Sequence, residues 1–203
     1  MKVFQIPVGP MQNFAYLVED ERSREALAID SGWETGPIVE LASSEGMRVK
    51  YACATHGHFD HVKTLDKLAS ELGSATVAFS GSEVQPEVSV RGGDVLRLGG
   101  SEVRVIHTPG HTEDSVCYYD GRDVFTGDTL FIEAWGRTDL RGGSDAVLYS
   151  SLHDVIMALP GDTIVYPGHD YGSMPFRTLG EEARKNPALR AKTLAEFRRL
   201  TQD

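Results

Sequence analysis

Cysteine is nearly absent: Cys53 and Cys117 are the only two in 203 residues. Two thiols make no disulfide framework. Both fall in apparent strands, so they are expected to be reduced and buried. No apolar run approaches the ~20 residues that a transmembrane helix needs. The opening Met-Lys-Val-Phe-Gln-Ile-Pro enters a strand pattern at once, with no long apolar signal segment. The expectation is a cytoplasmic protein with no membrane partner. Basic residues are also scarce, 20 Lys and Arg against 30 Asp and Glu, for a formal charge of −10. Such a surface repels phosphate backbones and speaks against nucleic acid as a partner, although a local basic pocket for an anionic substrate stays open. No internal repeat of 20–50 residues is present. A chain of this length, 40% hydrophobic and 25% charged, is read as a single domain over 1–203 with a substantial core.

Histidine is concentrated instead. Thr55-His56-Gly57-His58-Phe59-Asp60-His61 places three imidazoles and a carboxylate within seven residues, directly after the β-type run 49–54. Strand side chains alternate faces, so convergence of so many polar groups suits a strand end turning into a loop. Imidazole nitrogen and carboxylate oxygen are the usual ligands of zinc, iron and manganese. Buried for structure alone, the four groups would each need a separate polar partner.

Around this stretch, strands are expected at 3–6, 13–18, 25–29, 76–79, 94–98, 102–108 and 163–166, with a hairpin of 115–119 and 123–126 about Asp120-Gly121-Arg122. Helices are expected at 36–45, 60–72 and 145–159, and over 179–200 with a break at Asn186-Pro187. The ligand loop thus runs into a helix N-terminus, where an anion is favoured. Asp30, ending the third strand, is either a brace for the ligands or a turn residue. His107 and His153 are read as structural.

His-x-His-x-Asp-His resembles the signature of the metallo-β-lactamase superfamily. His111 in Thr-Pro-Gly-His-Thr, Asp128 in Phe-Thr-Gly-Asp-Thr and His169 in Tyr-Pro-Gly-His-Asp-Tyr complete the resemblance, so five of the seven histidines belong to it. The resemblance implies a four-layer αββα sandwich of two mixed β-sheets flanked by helices, with the metal site at one edge between the sheets. It implies that His56, His58 and His111 hold one metal, that Asp60, His61 and His169 hold a second, and that Asp128 bridges. The cofactor would then be two divalent ions, zinc first and iron or manganese as alternatives. Asp60 and Asp128 are the carboxylates of the catalytic machinery, and a metal-bound hydroxide would attack an acyl carbon. In a second arrangement, that of persulfide dioxygenases, His56, His111 and Asp128 alone hold a single Fe(II).

The flanks are similar to both branches. Residues 8–18, Gly136-Arg137-Thr138-Asp139-Leu140 and 178–187 look like small glyoxalase II-like proteins. Ser23-Arg24-Glu25-Ala26, the same Gly-Arg-Thr-Asp run and His169-Asp170-Tyr171 also resemble persulfide dioxygenases, although Trp135 and Leu140 stand where those enzymes show Cys and Phe. Only 16 residues lie between His169 and Asn186, too few for the helical insert with which full-length glyoxalase II helps hold glutathione. Thioester hydrolysis is the first expectation and persulfide oxidation the alternative, so the partner is a small thioester or thiol-derived substrate. Arg137 is the candidate for gripping a substrate carboxylate, with a salt bridge to Asp139 as the plain alternative. Tyr171 is the candidate for a hydrogen bond to the metal shell or substrate, and a homodimer is the assembly left open.

Overall fold

The computed structural model describes residues 1–201. Its N-terminal half runs β1 (Lys2–Val8), β2 (Asn13–Asp20), β3 (Glu25–Ile29), α1 (Gly36–Ser44), β4 (Arg48–Cys53), α2 (Phe59–Val62), α3 (Leu65–Leu72), β5 (Ala75–Phe79) and β6 (Val88–Val90). These strands form one sheet in the order β1-β2-β3-β4-β5-β6, antiparallel across β1, β2 and β3 and parallel from β3 to β6. The C-terminal half contributes β7 (Val95–Leu98), β8 (Ser101–His107), β9 (Val116–Tyr119), β10 (Asp123–Gly127), β13 (Ile164–Pro167) and β14 (Arg177–Thr178) to a second sheet, ordered β14-β13-β10-β9-β8-β7. A small ribbon of β11 (Leu130–Phe131) and β12 (Ala134–Trp135) follows β10. The helices α4 (Asp145–Ser150), α5 (Leu179–Lys185), α6 (Pro187–Arg190) and α7 (Leu194–Leu200) complete this half.

Three apolar clusters correspond to the three seams of an αββα sandwich. Alternation along β2 sends Ala15 and Leu17 toward α1 and α3, and Phe14, Tyr16 and Val18 toward the other sheet. The helix-facing residues of β2–β4 are mostly alanine (Ala15, Ala26, Ala28, Ala52), so the helices can approach the sheet closely. Between the sheets the side chains are large, with Tyr16, Tyr118 and Phe125 fully buried. Tyr16 packs edge-on against Phe125, with ring centroids 5.0 Å apart. Cys117 and Val124 face the third seam, against Leu148, Leu152 and Phe197. Cys53 and Cys117 are both free and buried as expected, and burial pushes the Cys117 thiol up to about 12.

Three expectations about helices are corrected. The segment 179–200 breaks not only at Asn186 but again between Arg190 and Leu194, where Thr193 caps the last helix. The segment 60–72 is two helices, because Thr64 turns its hydroxyl back to Ser31 O and Gly32 O, at 3.4 and 3.2 Å, instead of continuing the first. The segment 145–159 starts as an α-helix, widens to a π-turn at Ser151–Val155 and tightens to 3₁₀ at Ile156–Ala158. In the widened turn Ser151 Oγ donates to Pro109 O at 2.6 Å, which fastens the helix to the turn before His111. The short strands β6, β11, β12 and β14 lie outside the expected set, since two or three residues carry no readable alternation. No helix among the described residues is long and apolar enough to cross a membrane.

Candidate metal centre

β8, β10 and β13 run in one direction in the second sheet, so the residues after their C-terminal ends collect at one edge. His111 follows β8, Asp128 follows β10 and His169 follows β13. β4 of the first sheet ends beside them, where Val116 N donates to Thr55 O at 2.8 Å and joins the sheets. The loop after β4 then supplies His56 and His58, and the one-turn helix α2 supplies Asp60 and His61. The centre lies at the edge between the two sheets, and all seven expected donors meet there.

They form two sets. His56 Nε2 and His111 Nε2 stand 3.0 and 2.9 Å from His58 Nδ1. His61 Nε2 stands 3.2 Å from His169 Nε2, and both lie 3.5 Å from Asp60 Oδ2. Asp128 stands between the sets: Oδ2 is 3.5 Å from His111 Nε2, while Oδ1 is 3.2 Å from His61 Nε2 and 3.4 Å from His169 Nε2. His56, His58 and His111 can offer atoms that all lie within 4.8 Å of one another, as can His56, His61 and Asp128, and also Asp60, His61 and His169.

The outer ring nitrogens explain why the inner ones point inward. His61 Nδ1 donates to Asp30 Oδ2 at 2.9 Å, His111 Nδ1 to Arg137 O at 2.7 Å and His169 Nδ1 to Met11 O at 2.9 Å. His56 Nδ1 lies 3.1 Å from Thr55 Oγ1, whose hydroxyl donates to Asp30 Oδ2 at 2.7 Å, so His56 is the donor there. With Nδ1 engaged outward, each Nε2 faces the centre and can offer its lone pair to a cation there. Asp30 also accepts from Thr55 N at 2.8 Å and adopts a left-handed backbone, φ 54°. Such a conformation in a non-glycine residue has to be held by its surroundings. Asp30 is therefore a brace for His56 and His61, not a turn residue alone. Asp60 has its own brace: Asn13 Nδ2 donates to its Oδ2 at 3.0 Å, and Trp33 Nε1 donates to Asn13 Oδ1 at 3.0 Å.

These residues fit a divalent cation. Lone pairs about 3 Å apart repel unless a proton or cation lies among them, and this is about the separation of neighbouring ligands with bonds near 2.1 Å. Asp128 Oδ1 is buried without an aligned hydrogen-bond donor. Space is kept open in front of it: a Cβ on Gly168 would come within 2.6 Å of that oxygen, and one on Gly136 within 1.8 Å of Asp128 O.

Charge differs between the sets. Burial pushes the His56 and His58 imidazoles below the ordinary histidine value, reinforced by the neighbouring histidines, so both stay neutral. Burial acts on His61 and His169 in the same sense, but Asp128 outweighs it at both, with Asp30 helping at His61 and Met11 O at His169. Both are raised. Burial would raise the Asp128 carboxyl, yet His61 and His169 hold it well below the carboxylate range.

Of the two expected substrate residues, Arg137 is otherwise engaged. Its Nε and Nη2 donate to both oxygens of Asp139 at 2.7 Å, and its contribution to the centre is the backbone carbonyl under His111. Tyr171 stacks on His169 at 4.6 Å, and its hydroxyl reaches Met11 O, the carbonyl that holds His169, at 3.4 Å. Burial, with Asp128 and Asp60, raises its phenol, which stays protonated. His107 stacks on Phe79, and His153 on Tyr149, each away from the centre. Asn13, Trp33, Thr55 and Met11 O were not anticipated. A carbonyl leaves no trace in sequence, whereas Asn13 could have been noticed as an amide opening the apolar run Phe14–Val18.

A family model described as the metallo-beta-lactamase superfamily matches residues 8–169. The mitochondrial persulfide dioxygenase ETHE1 of Homo sapiens is 39% identical over 180 residues, 87% of this chain and 71% of that protein. The crystal structure of ETHE1 from Myxococcus xanthus superposes with a TM-score of 0.94 at 34% identity, covering 100% of this chain and 91% of that one. The structure of TTHA1623 in a di-iron-bound form matches with a TM-score of 0.77 at 33% identity, covering 91% and 98% of the two chains.

Proposed function

The chain belongs to the metallo-beta-lactamase superfamily, and from that premise we propose that it is a persulfide dioxygenase, with one Fe(II) held by His56, His111 and Asp128. This reverses the order expected from sequence, where thioester hydrolysis stood first. The observation that carries it is the likeness to ETHE1 proteins along almost the entire chain, in sequence and in backbone. Two imidazoles and one carboxylate are the donor set of non-haem iron oxygenases, and bound iron supplies open positions at which O2 and a sulfur anion can meet.

The remaining residues have definite tasks in this reading. Asp30, through Thr55, fixes the His56 ring, and Arg137 O fixes that of His111. Asp60, His61 and His169 form a closed, buried wall beside Asp128, whose carboxylate the two histidines hold ionised. Tyr171 and Phe131 cover His169 from the outside and limit water on that flank.

A second reading rests on a separate observation. Asp128 turns one oxygen to each donor set, and a relative is known in a di-iron-bound form. Two ions and a hydrolytic activity on thioesters would use all seven donors. The two readings are tested side by side: O2 uptake on glutathione persulfide against hydrolysis of S-lactoylglutathione, by protein isolated with its own metal. Fast O2 uptake with negligible hydrolysis is expected. The opposite pattern would overturn the proposal.

A further inference from the structure

The ring of His111 is oriented by a carbonyl on a loop. Its Nδ1 donates to Arg137 O at 2.7 Å, while the Arg137 side chain points out to Asp139. What fixes that peptide lies on its two flanks. Trp135 packs against the fully buried Phe197 of α7, with ring centroids 5.7 Å apart. On the other flank, Thr138 donates its hydroxyl to Asp145 Oδ1 at the start of α4. Asp145 is itself backed by α7: Thr201 Oγ1 donates to its Oδ2 at 3.4 Å, and Arg198 Nε lies 4.0 Å from the same oxygen. The residue before it, Ser144, donates its backbone N–H to Gly110 O at 2.8 Å. Two consecutive residues of α4 therefore reach the backbone before His111 and the loop under its ring.

We propose that Asp145 is a positioning residue for His111: by holding Thr138 it keeps Arg137 O under the imidazole. The assignment deepens the reading above, in which His111 is one of three iron ligands. It does not depend on the reaction, since His111 is a donor in the hydrolase reading as well. A planar peptide turns its carbonyl only as a unit, so a hold on both flanks sets where Arg137 O points. With the Thr138 flank released, the loop is held only at Trp135 and the carbonyl can swing away from Nδ1. The ring then loses the partner that keeps Nε2 facing the centre. Partners of this kind are worth about 10–100-fold in metal affinity. Asp145 acts one contact further out, so the lower end of that range applies.

The test is NMR of the ring N–H groups in the full chain loaded with zinc, a diamagnetic substitute for iron. The Nδ1–H protons of His61, His111 and His169 have acceptors at 2.9, 2.7 and 2.9 Å and should exchange slowly. Thr138→Val and Asp145→Ala are each expected to speed exchange at His111 about tenfold. His61 and His169 should not change, a selectivity that general loosening of the fold would not show. The double variant should be no worse than Asp145→Ala alone, because the acceptor of the hydroxyl is already gone. Thr138→Ser keeps the hydroxyl and should restore the wild-type rate. Metal affinity, from chelator competition, should fall about tenfold in Thr138→Val and Asp145→Ala. Unchanged exchange at His111, equal acceleration at all three histidines, or no recovery in Thr138→Ser would each overturn the assignment. A protein that consumes no O2 on persulfide would remove the proposed function and leave this result standing.

Discussion

The two donor sets share Asp128 and differ in almost everything else. His56, His58 and His111 open onto a cavity through the half-exposed His58, whereas Asp60, His61 and His169 are all buried. In the first set burial pushes the imidazoles of His56 and His58 down and keeps them neutral. In the second, acidic neighbours push His61 and His169 up, so that with no cation among them a proton can stay beside Asp128. Seven residues of ligand type in one cluster therefore do not imply two equivalent metal sites. The open set can bind metal and substrate. The closed set can be satisfied by a proton.

Substitutions can break this comparison at graded depth. Asp128→Asn alters the residue common to both sets, and turnover is expected to fall below about a tenth of wild type with most of the metal lost, since the amide carries no negative charge and keeps an oxygen for only one of the two sets. Metal analysis and steady-state rates on folded protein check this, and retained activity would take Asp128 out of the centre. Asp30→Ala leaves every donor in place but frees His56 and His61. An affinity loss of about 10–100-fold is expected from chelator competition, because the partners that orient ligand histidines are worth that much. Of the seven donors, Asn13→Ala frees the side chain of Asp60 alone, leaving Trp33 Nε1 without its acceptor. It should leave iron on the first set and activity within about threefold of wild type, while lowering uptake of a second ion under forced loading by about tenfold. Equal damage to both sets would show that they are not separable.

Acidity sharpens the same contrast most gently. Metal binding to His61 must expel a proton that its raised affinity retains, so loading of the second set should weaken about tenfold per pH unit as pH falls through the neutral range. Neutral His56 and His58 release none, and the first set should load almost equally at about pH 6.5 and about pH 8. Metal titrations at the two pH values decide between this and a parallel loss.

The sequence showed the seven donors because each is a side chain of distinctive chemistry in a short motif. The αββα layering was legible too, once the resemblance was added to alternation in β2 and β3 and to the helical spacing of Leu65, Leu68 and Ala69. What was not legible depended on contacts distant in the chain. Thr64 breaks the helix by reaching back to Ser31 and Gly32, and Asp139 claims Arg137 through geometry that a Gly-Arg-Thr-Asp run does not reveal. Asn13 reaches Asp60 across 47 residues. The reaction itself was not fixed by the ligands, since one donor pattern serves both hydrolysis and oxygenation. Likeness along the whole chain, not the motif, shifted the balance toward oxygenation.

The most direct test is the metal stoichiometry of the protein purified with its own metal, compared with that of His61→Ala. One iron per chain is expected in both, with O2 consumed when glutathione persulfide is added, because His56, His111 and Asp128 remain intact in the variant. Two ions per wild-type chain falling to one in His61→Ala, with thioester hydrolysis lost in step, would contradict the mononuclear assignment and restore the two-metal hydrolase.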